Sequence, residues 1–296
     1  MTTVISIPNI YIASEHYNHL FNIWYEITQL PQTHLDIALD FQDCTFLSHN
    51  GVAFLGGLAH FVQSLGGTLE FSWDTLHPKI RTNLAQNGFL DSFGFEQAPW
   101  NGNSIPYRID LQSSRTSVID YLIHKWLNKD WVSISPALQN AIAGRVWEIY
   151  DNAFIHSQTE IGVFSCGQHY PQKKQLHLSV IDFGIGIPAK VRSLTKNLSL
   201  SSPQALEWAF FPGNSTATPD ISRGMGLHLL QEFLTENQGS LKIFSNDGYI
   251  GIKDGKVEYK QQRIDFSGTF VNITFQCDES YYRLASKLPL WDEPLF

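Results

Sequence analysis

From Leu35 to Phe41 the chain reads LDIALDF, with Leu35, Ile37, Leu39 and Phe41 on one face at a period of two and acids opposite. This predicts a strand buried on one side. After the turn-like Ser48-His49-Asn50-Gly51 the period changes. Leu55, Leu58, Ala59, Val62 and Leu65 recur at three- and four-residue steps, as on a helix, until Gly66-Gly67 ends the run. Thr68 to Phe71 predicts another strand, and Pro78 is placed to open a helix through Ile80 and Leu84 that Gly88 closes. The first hundred residues therefore alternate β and α. Between 97 and 106, Pro, Gly, Asn and Ser cluster without hydrophobic period, the pattern of a linker, and a boundary is expected near residue 104. Helices are expected next, from around Ser117 to Asn128 and from Ser135 to His156. An alternation of Leu176, Leu178 and Val180 then ends in Asp182. Ile185 to Ser222 is mixed and gives no clear element. Leu227 to Leu234 reads as helical, and Leu241 to Phe275 as short strands punctuated by turns at Asp247-Gly248 and Asp254-Gly255.

Composition narrows the class. A length of 296 residues favours two compact domains, and 43% hydrophobic against 16% charged residues excludes disorder for most of the chain. Twenty basic against twenty-eight acidic residues, with no Lys/Arg-rich run, argue against non-specific binding to nucleic acid or anionic lipid. Cys44, Cys166 and Cys277 are odd in number and widely spaced, which suits neither a disulfide framework nor a four-ligand zinc site and points to a reduced, cytoplasmic setting. The N-terminus lacks the basic and apolar regions of a secretory signal. Gly51 to Gly67, the most apolar stretch, is interrupted by His60, Gln63 and Ser64 and reads as a buried amphipathic helix, not a membrane span. No repeat, low-complexity tract, nucleophile elbow or zinc-type His/Cys spacing is found.

Three short motifs in the second half carry candidate chemistry. In RVWEIYDNAFIH, from Arg145 to His156, the residues Glu148, Asn152 and His156 stand at four-residue steps beside an apolar stripe of Ile142, Val146, Ile149 and Ala153. Such a polar stripe can hold a hydrated magnesium ion and a water, or can simply be a solvated edge. Val180 to Pro188 ends a strand with the carboxylate of Asp182 and follows it with Gly184 and Gly186. A carboxylate there can accept the exocyclic amine of adenine, and the glycines let the backbone approach a base; a plain strand-ending turn has the same look. Ser222-Arg223-Gly224-Met225-Gly226-Leu227 lies at the start of a helix, where backbone N–H groups and the dipole favour an anion such as phosphate. The Lys-Ser/Thr pair of a P-loop is missing. Gly268-Thr269 opens a last strand in which Thr269, Val271, Ile273 and Phe275 share a face.

In this order, Glu-x3-Asn-Ala-x2-His, Asp-x-Gly-x-Gly-Ile, Gly-x-Gly-Leu and Gly-Thr resemble the motif set of the GHKL ATPases. Those include gyrase, the ninety-kilodalton heat-shock chaperone class, histidine kinases and mismatch-repair ATPases. The resemblance covers roughly residues 105 to 277. It implies a Bergerat-fold α/β sandwich with helices on one face of a mixed sheet, and ATP and Mg2+ as cofactors. Asn152 would then be the magnesium ligand, Asp182 the adenine reader, and Gly184 and Gly186 the turn beneath the base. Gly224 and Gly226, with Met225 and Leu227 between and after them, would cradle phosphates, and Arg223 would pair with the γ-phosphate. Thr269 would support adenine through water, and Ala189 to Ser222 would be a mobile lid. Glu148 would activate or orient the attacking water in a hydrolase, or the substrate hydroxyl in a kinase. His156 would lie near phosphate.

None of the eleven histidines is followed by Asp or Glu, and 21 residues follow Phe275. The expectation is a stand-alone ATP domain of the anti-sigma-factor kinase type and not a histidine kinase or a gyrase-like enzyme with a second domain. Residues 4 to 96 are similar to STAS domains, the anti-sigma-factor antagonist fold, on the pattern of strand, Phe46 to Val52, helix, Gly66-Gly67, strand. Where such domains carry a phosphorylated hydroxyl before the glycine, this chain has Asn50, an expected helix N-cap, with Ser48 two residues earlier. The expected domains are 1–104, STAS-like with linker; 105–277, ATP-binding; and 278–296, a tail. The expected function is a regulatory ATP-dependent switch with slow ATPase activity, acting through its STAS half or a protein partner. The alternatives are a serine/threonine kinase acting on a separate STAS protein and a static nucleotide-binding interaction module. A homodimer is left open.

Overall fold

Residues 2–31, 35–95, 102–127, 131–211 and 226–284 are described in the computed structural model. The chain is a mixed α/β protein. Strands β1 (Thr3–Ser6), β2 (Asp36–Asp40) and β3 (Thr68–Phe71) form a parallel three-strand sheet in that order. Helix α1 (Ser14–Thr28) joins the first two strands and α2 (His49–Ser64) the second two, because parallel neighbours need a crossover. The alternation at 35–41 is real: Leu35, Ile37, Leu39 and Phe41 are buried and Asp36 and Asp40 are half-buried on the other face. Two short helices, α3 (Pro78–Gln86) and α4 (Phe89–Ser92), follow, with Gly88 between them at φ +79.

The second sheet contains β4 (Ser104–Asp110), β5 (Val163–Tyr170), β6 (Gln175–Asp182), β7 (Ser240–Lys253) and β8 (Lys256–Gln276), in the order β4-β5-β6-β8-β7. Between these strands lie α5 (Arg115–Tyr121), which runs into a π-helical segment at Leu122–Leu127, then α6 (Pro136–His156), α7 (Ile187–Thr195), α8 (Ser202–Phe210) and α9 (Gly226–Glu236). The sequence expectation is corrected at several points. The sheet is antiparallel at every pairing, not mixed; its β5–β6 and β7–β8 links are too short to join parallel neighbours. The strands of 240–276 are two long ones. Asp254-Gly255 is the hairpin turn, both residues at positive φ as a type I′ turn requires. Asp247-Gly248 sits inside β7; the register jumps from Ser245 opposite Thr269 to Gly248 opposite Gln261, so the surplus residues of this irregularity lie on β8 and β7 runs through its turn-like pair. Finally, residues 104–106 of the expected linker belong to β4, where Pro106 is tolerated at a register irregularity of an edge strand; 96–101 lie outside the described residues.

Helices cover both faces of the five-strand sheet, not one. Leu176, Leu178 and Val180 of β6 and Val271, Ile273 and Phe275 of β8 pack with Ile142 and Val146 of α6 and Phe233 of α9. The alternate residues, Ile181 with Phe164, Phe244 and Phe270, meet Tyr17 and Phe21 of α1 and Phe54 of α2. The same cluster continues to Ile5, Ile37 and Leu39, so one core runs from the three-strand sheet through α1 and α2 to the second sheet. Each fully buried ring there stabilises the packing by roughly 1.5–3 kcal/mol before ordering costs. Helix α2 sits close because a Cβ at Gly56 would land on the Tyr107 ring, and one at Gly57 on the rings of Phe183 and Phe164. Among the described residues no helix is long and apolar enough to cross a membrane.

Candidate functional site

Asp182 is the last residue of β6 and has the parity of Leu178 and Val180, so it points to the α6 side of the sheet. It lies between Val163 of β5 and Thr269 of β8 and is 3% exposed. Burial pushes its carboxyl up to about 7; hydrogen bonds from the Gly184 amide, 2.9 Å from Oδ1, and from Thr269 pull the other way. After it the chain leaves the sheet through positions that only glycine fits. A Cβ on Gly184 would strike the Ser157 carbonyl at the end of α6, and the Ile185 amide donates to that same carbonyl at 2.7 Å. Gly186, at φ +80, precedes α7, and a Cβ there would meet Asn246 Oδ1 at 2.6 Å and Ser245 Oγ at 2.9 Å. Gly268 holds φ +136 with its Cα against the Asp182 carbonyl. Asp182, Gly184, Gly186 and Thr269, separated by up to 87 positions in sequence, are thus brought together at one end of the sheet.

Two residues in this constellation, Ser245 and Asn246, are not anticipated. The Ile187 amide donates to Ser245 Oγ at 2.8 Å and the Ala189 amide to Asn246 Oδ1 at 3.3 Å, so β7 holds the first turn of α7. Their sequence signal is slight: a Ser-Asn pair interrupting the apolar run of Leu241, Ile243 and Phe244.

On α6, Ile142, Val146 and Ala153 are buried and Ile149 is half-buried, as the apolar stripe predicts. Asn152 is exposed, and Glu148, one turn earlier, is half-exposed and paired with Arg145 at 2.6 Å. Ser157, which touches Gly184, lies four residues after Ala153, so the C-terminal turn of α6 abuts the glycine loop; Asn152 is about 100° round the helix from Ala153. The His156 side chain, Arg223, Gly224 and Met225 lie outside the described residues. Gly226 and Leu227 are the first two residues of α9, the helix start that the glycine pair predicts. Of residues 189–222, expected to be a lid, 212–222 lie outside the described residues. The described part is the body of α7, then α8, which a Ser201–Gln204 capping box opens and which is tied to β7 by Ser202 against Asp247. Among the described residues, no three His, Cys, Asp or Glu side chains stand close enough to hold a metal by themselves.

A second polar cluster lies on the opposite face, between α2 and the sheet. Ser48, His49 and Asn50 are all buried. Ser48, not Asn50, occupies the N-cap position, but its hydroxyl donates to the Ile10 carbonyl at 2.8 Å instead of capping α2. His49 Nε2 donates to Asn272 Oδ1 at 3.0 Å, and the Tyr170 hydroxyl lies 3.2 Å from Nδ1. Asn272 also accepts from Ser179 at 2.9 Å, and its own amide donates to Thr274. Burial holds the His49 imidazole down to about 4, and His177, whose ring centroid is 5.2 Å away, is held well below its ordinary value by burial and by His49, Lys242 and Lys173. The Ser48-Asn50 segment, where a STAS acceptor would stand, therefore faces the chain's own sheet. No family model matches the chain, and no curated protein matches it.

Proposed function

We propose that this chain binds ATP with Mg2+ as a regulatory protein of the GHKL class, its antiparallel sheet with α6 and α9 forming a Bergerat-type sandwich and its first hundred residues a STAS-like unit. The observation that carries the reading is Asp182. A buried carboxylate at a strand end, beside a threonine and two glycines that admit no side chain, is built to accept hydrogen bonds from a flat base. Asp182 accepts the exocyclic amine of adenine, Thr269 orders the base through water, and Gly184 and Gly186 let the backbone lie against the ring. The start of α9 at Gly226, which the Gly224-Met225 pair precedes in sequence, would offer amide donors to the phosphates. Asn152 would hold the magnesium ion, which supplies charge neutralisation on the phosphates. Glu148 would orient water once Arg145 releases it, and that competing ion pair is expected to keep turnover slow. The output is conformational, passed through the N-terminal unit or to a partner, since ATP shifts an equilibrium only by binding two states unequally.

Calorimetric titration with ATP and Mg2+ tests the reading. Wild type is expected to give a saturable heat and Asp182→Ala at least about tenfold weaker binding, the cost of one charge-assisted hydrogen bond. No heat with wild type, or equal affinity in the variant, overturns it.

A further inference from the structure

Ser245 has the parity of Leu241 and Ile243, so its side chain reaches the same side of the sheet as Asp182, and it is fully buried at the point where the β7–β8 register breaks. Its hydroxyl meets three groups of the candidate site. It accepts from the Ile187 amide at 2.8 Å, donates to the Gly268 carbonyl at 2.8 Å, and lies 3.2 Å from Thr269 Oγ1. A hydroxyl has one hydrogen and two lone pairs. With the hydrogen on Gly268 and one lone pair taken by Ile187, Ser245 could bond Thr269 only by accepting the one hydroxyl hydrogen of Thr269, for which the Asp182 carboxylate competes, so the bonds to Ile187 and Gly268 carry the link. One side chain thus joins the loop that leaves Asp182 to the Gly268-Thr269 turn that faces it. Asn246 reinforces the link, bonding Ala189 with its carbonyl oxygen and Asp265 with its amide at 3.3 Å.

We propose that Ser245 is a positioning residue of the nucleotide site, clamping the Asp182–Gly186 loop to Thr269 so that the Asp182 carboxylate stays dry and aimed at the base. The inference rests on the adenine reading above and deepens it. Removing the hydroxyl strands the Ile187 amide and the Gly268 carbonyl, and those groups recruit water into the space beside Asp182. Water there weakens the desolvation that raises the carboxyl, so its titration moves back toward the ordinary carboxylate range.

The test is the affinity for MgATP between pH 5.5 and 8.5 in wild type, Ser245→Ala and Ser245→Thr, together with hydrogen exchange at the Ile187 amide in the nucleotide-free proteins. Ser245→Ala is expected to bind about tenfold more weakly at pH 8, the loss of about one buried hydrogen bond. The acid limb of its profile should move to lower pH, and Ile187 should exchange faster. Ser245→Thr, which keeps the hydroxyl, should restore all three. A variant that merely folds less well would lower the melting temperature without moving the acid limb. Wild-type binding with an unchanged profile in Ser245→Ala overturns the positioning role. Failure of wild type to bind MgATP overturns the nucleotide reading itself, and protection at Ile187 still reports whether the clamp exists.

Discussion

Asp182 carries a proton problem that decides how the site behaves near neutrality. Its carboxyl ordinarily titrates near 3.8 and in the fold near 7, because burial penalises the anion. Between those values the folded chain holds a proton that the unfolded chain has lost. The stability it contributes is therefore full below about 3.8 and lost as pH rises toward 7, an effect of roughly 4 kcal/mol at most. His49 and His177 oppose it. Their folded values lie below 6.5, so their contribution is full above that pH and lost as pH falls. The Asp182 contribution is isolated by difference: urea midpoints at pH 5 and pH 8 should fall with rising pH more steeply in wild type than in Asp182→Asn. The anion is the stronger acceptor for adenine's amine, so ATP binding at pH 7 should expel up to about half a proton, read as a dependence of the calorimetric heat on buffer ionisation enthalpy. A heat independent of buffer would remove the Asp182 anion as the amine's acceptor. The aspartate was legible in the sequence because it ends an alternating strand before Gly-x-Gly. Ser245 was not, because nothing in the local pattern says that a strand serine will face a loop 58 residues earlier.

At the scale of elements, α2 shows what two glycines do when a helix must lie flat on aromatic rings. Glycine costs about 1 kcal/mol against alanine in a helix interior. Gly57→Ala would recover that amount, but its methyl would strike Phe183 and Phe164, which other rings confine, and overpacking of this kind costs about 1–3 kcal/mol. Gly144 in α6 is the control, with open space where a Cβ would go. Thermal unfolding should show Gly144→Ala more stable than wild type and Gly57→Ala less stable; stabilisation by both would mean that α2 is not pressed on the sheet. Helix α2 and strands β2 and β6 were legible because each shows one clean period. Helix α1 was not anticipated, although Tyr17, Leu20, Phe21, Trp24 and Ile27 have helical spacing, because His16, Asn18, His19 and Asn22 dilute the pattern. The strand break expected at 247–248 does not occur for a different reason: Asp-Gly favours a turn, yet the ladder to β8 keeps the pair extended within β7, and β8 carries the surplus residues opposite it.

Across the whole molecule, each face of the second sheet carries its own polar cluster. Asp182 and Thr269 lie on the α6 face, while Ser179 of β6 and Asn272 of β8 lie on the other face of the same strands, and Asn272 bonds His49 at the start of α2. Thr269 and Asn272 are three residues apart, about 10 Å along a strand. On the proposed reading, a ligand that moved β8 at Thr269 would move the seat of His49 as well, because the strand is packed on both faces. The residues that join the faces are distant in sequence, so the connection could not be read from any one motif. If ATP acts as a switch, a non-hydrolysable analogue should change hydrogen-exchange protection in the first turn of α2, from His49 to Val52, as well as around Gly184–Ile187. His49→Phe, which fills the space but makes no bond to Asn272, should lose the α2 response while keeping the response at the glycine loop. Protection that changes at the loop alone in both proteins would leave a nucleotide-binding site with no communication through the sheet, and the static interaction module would then be the better reading.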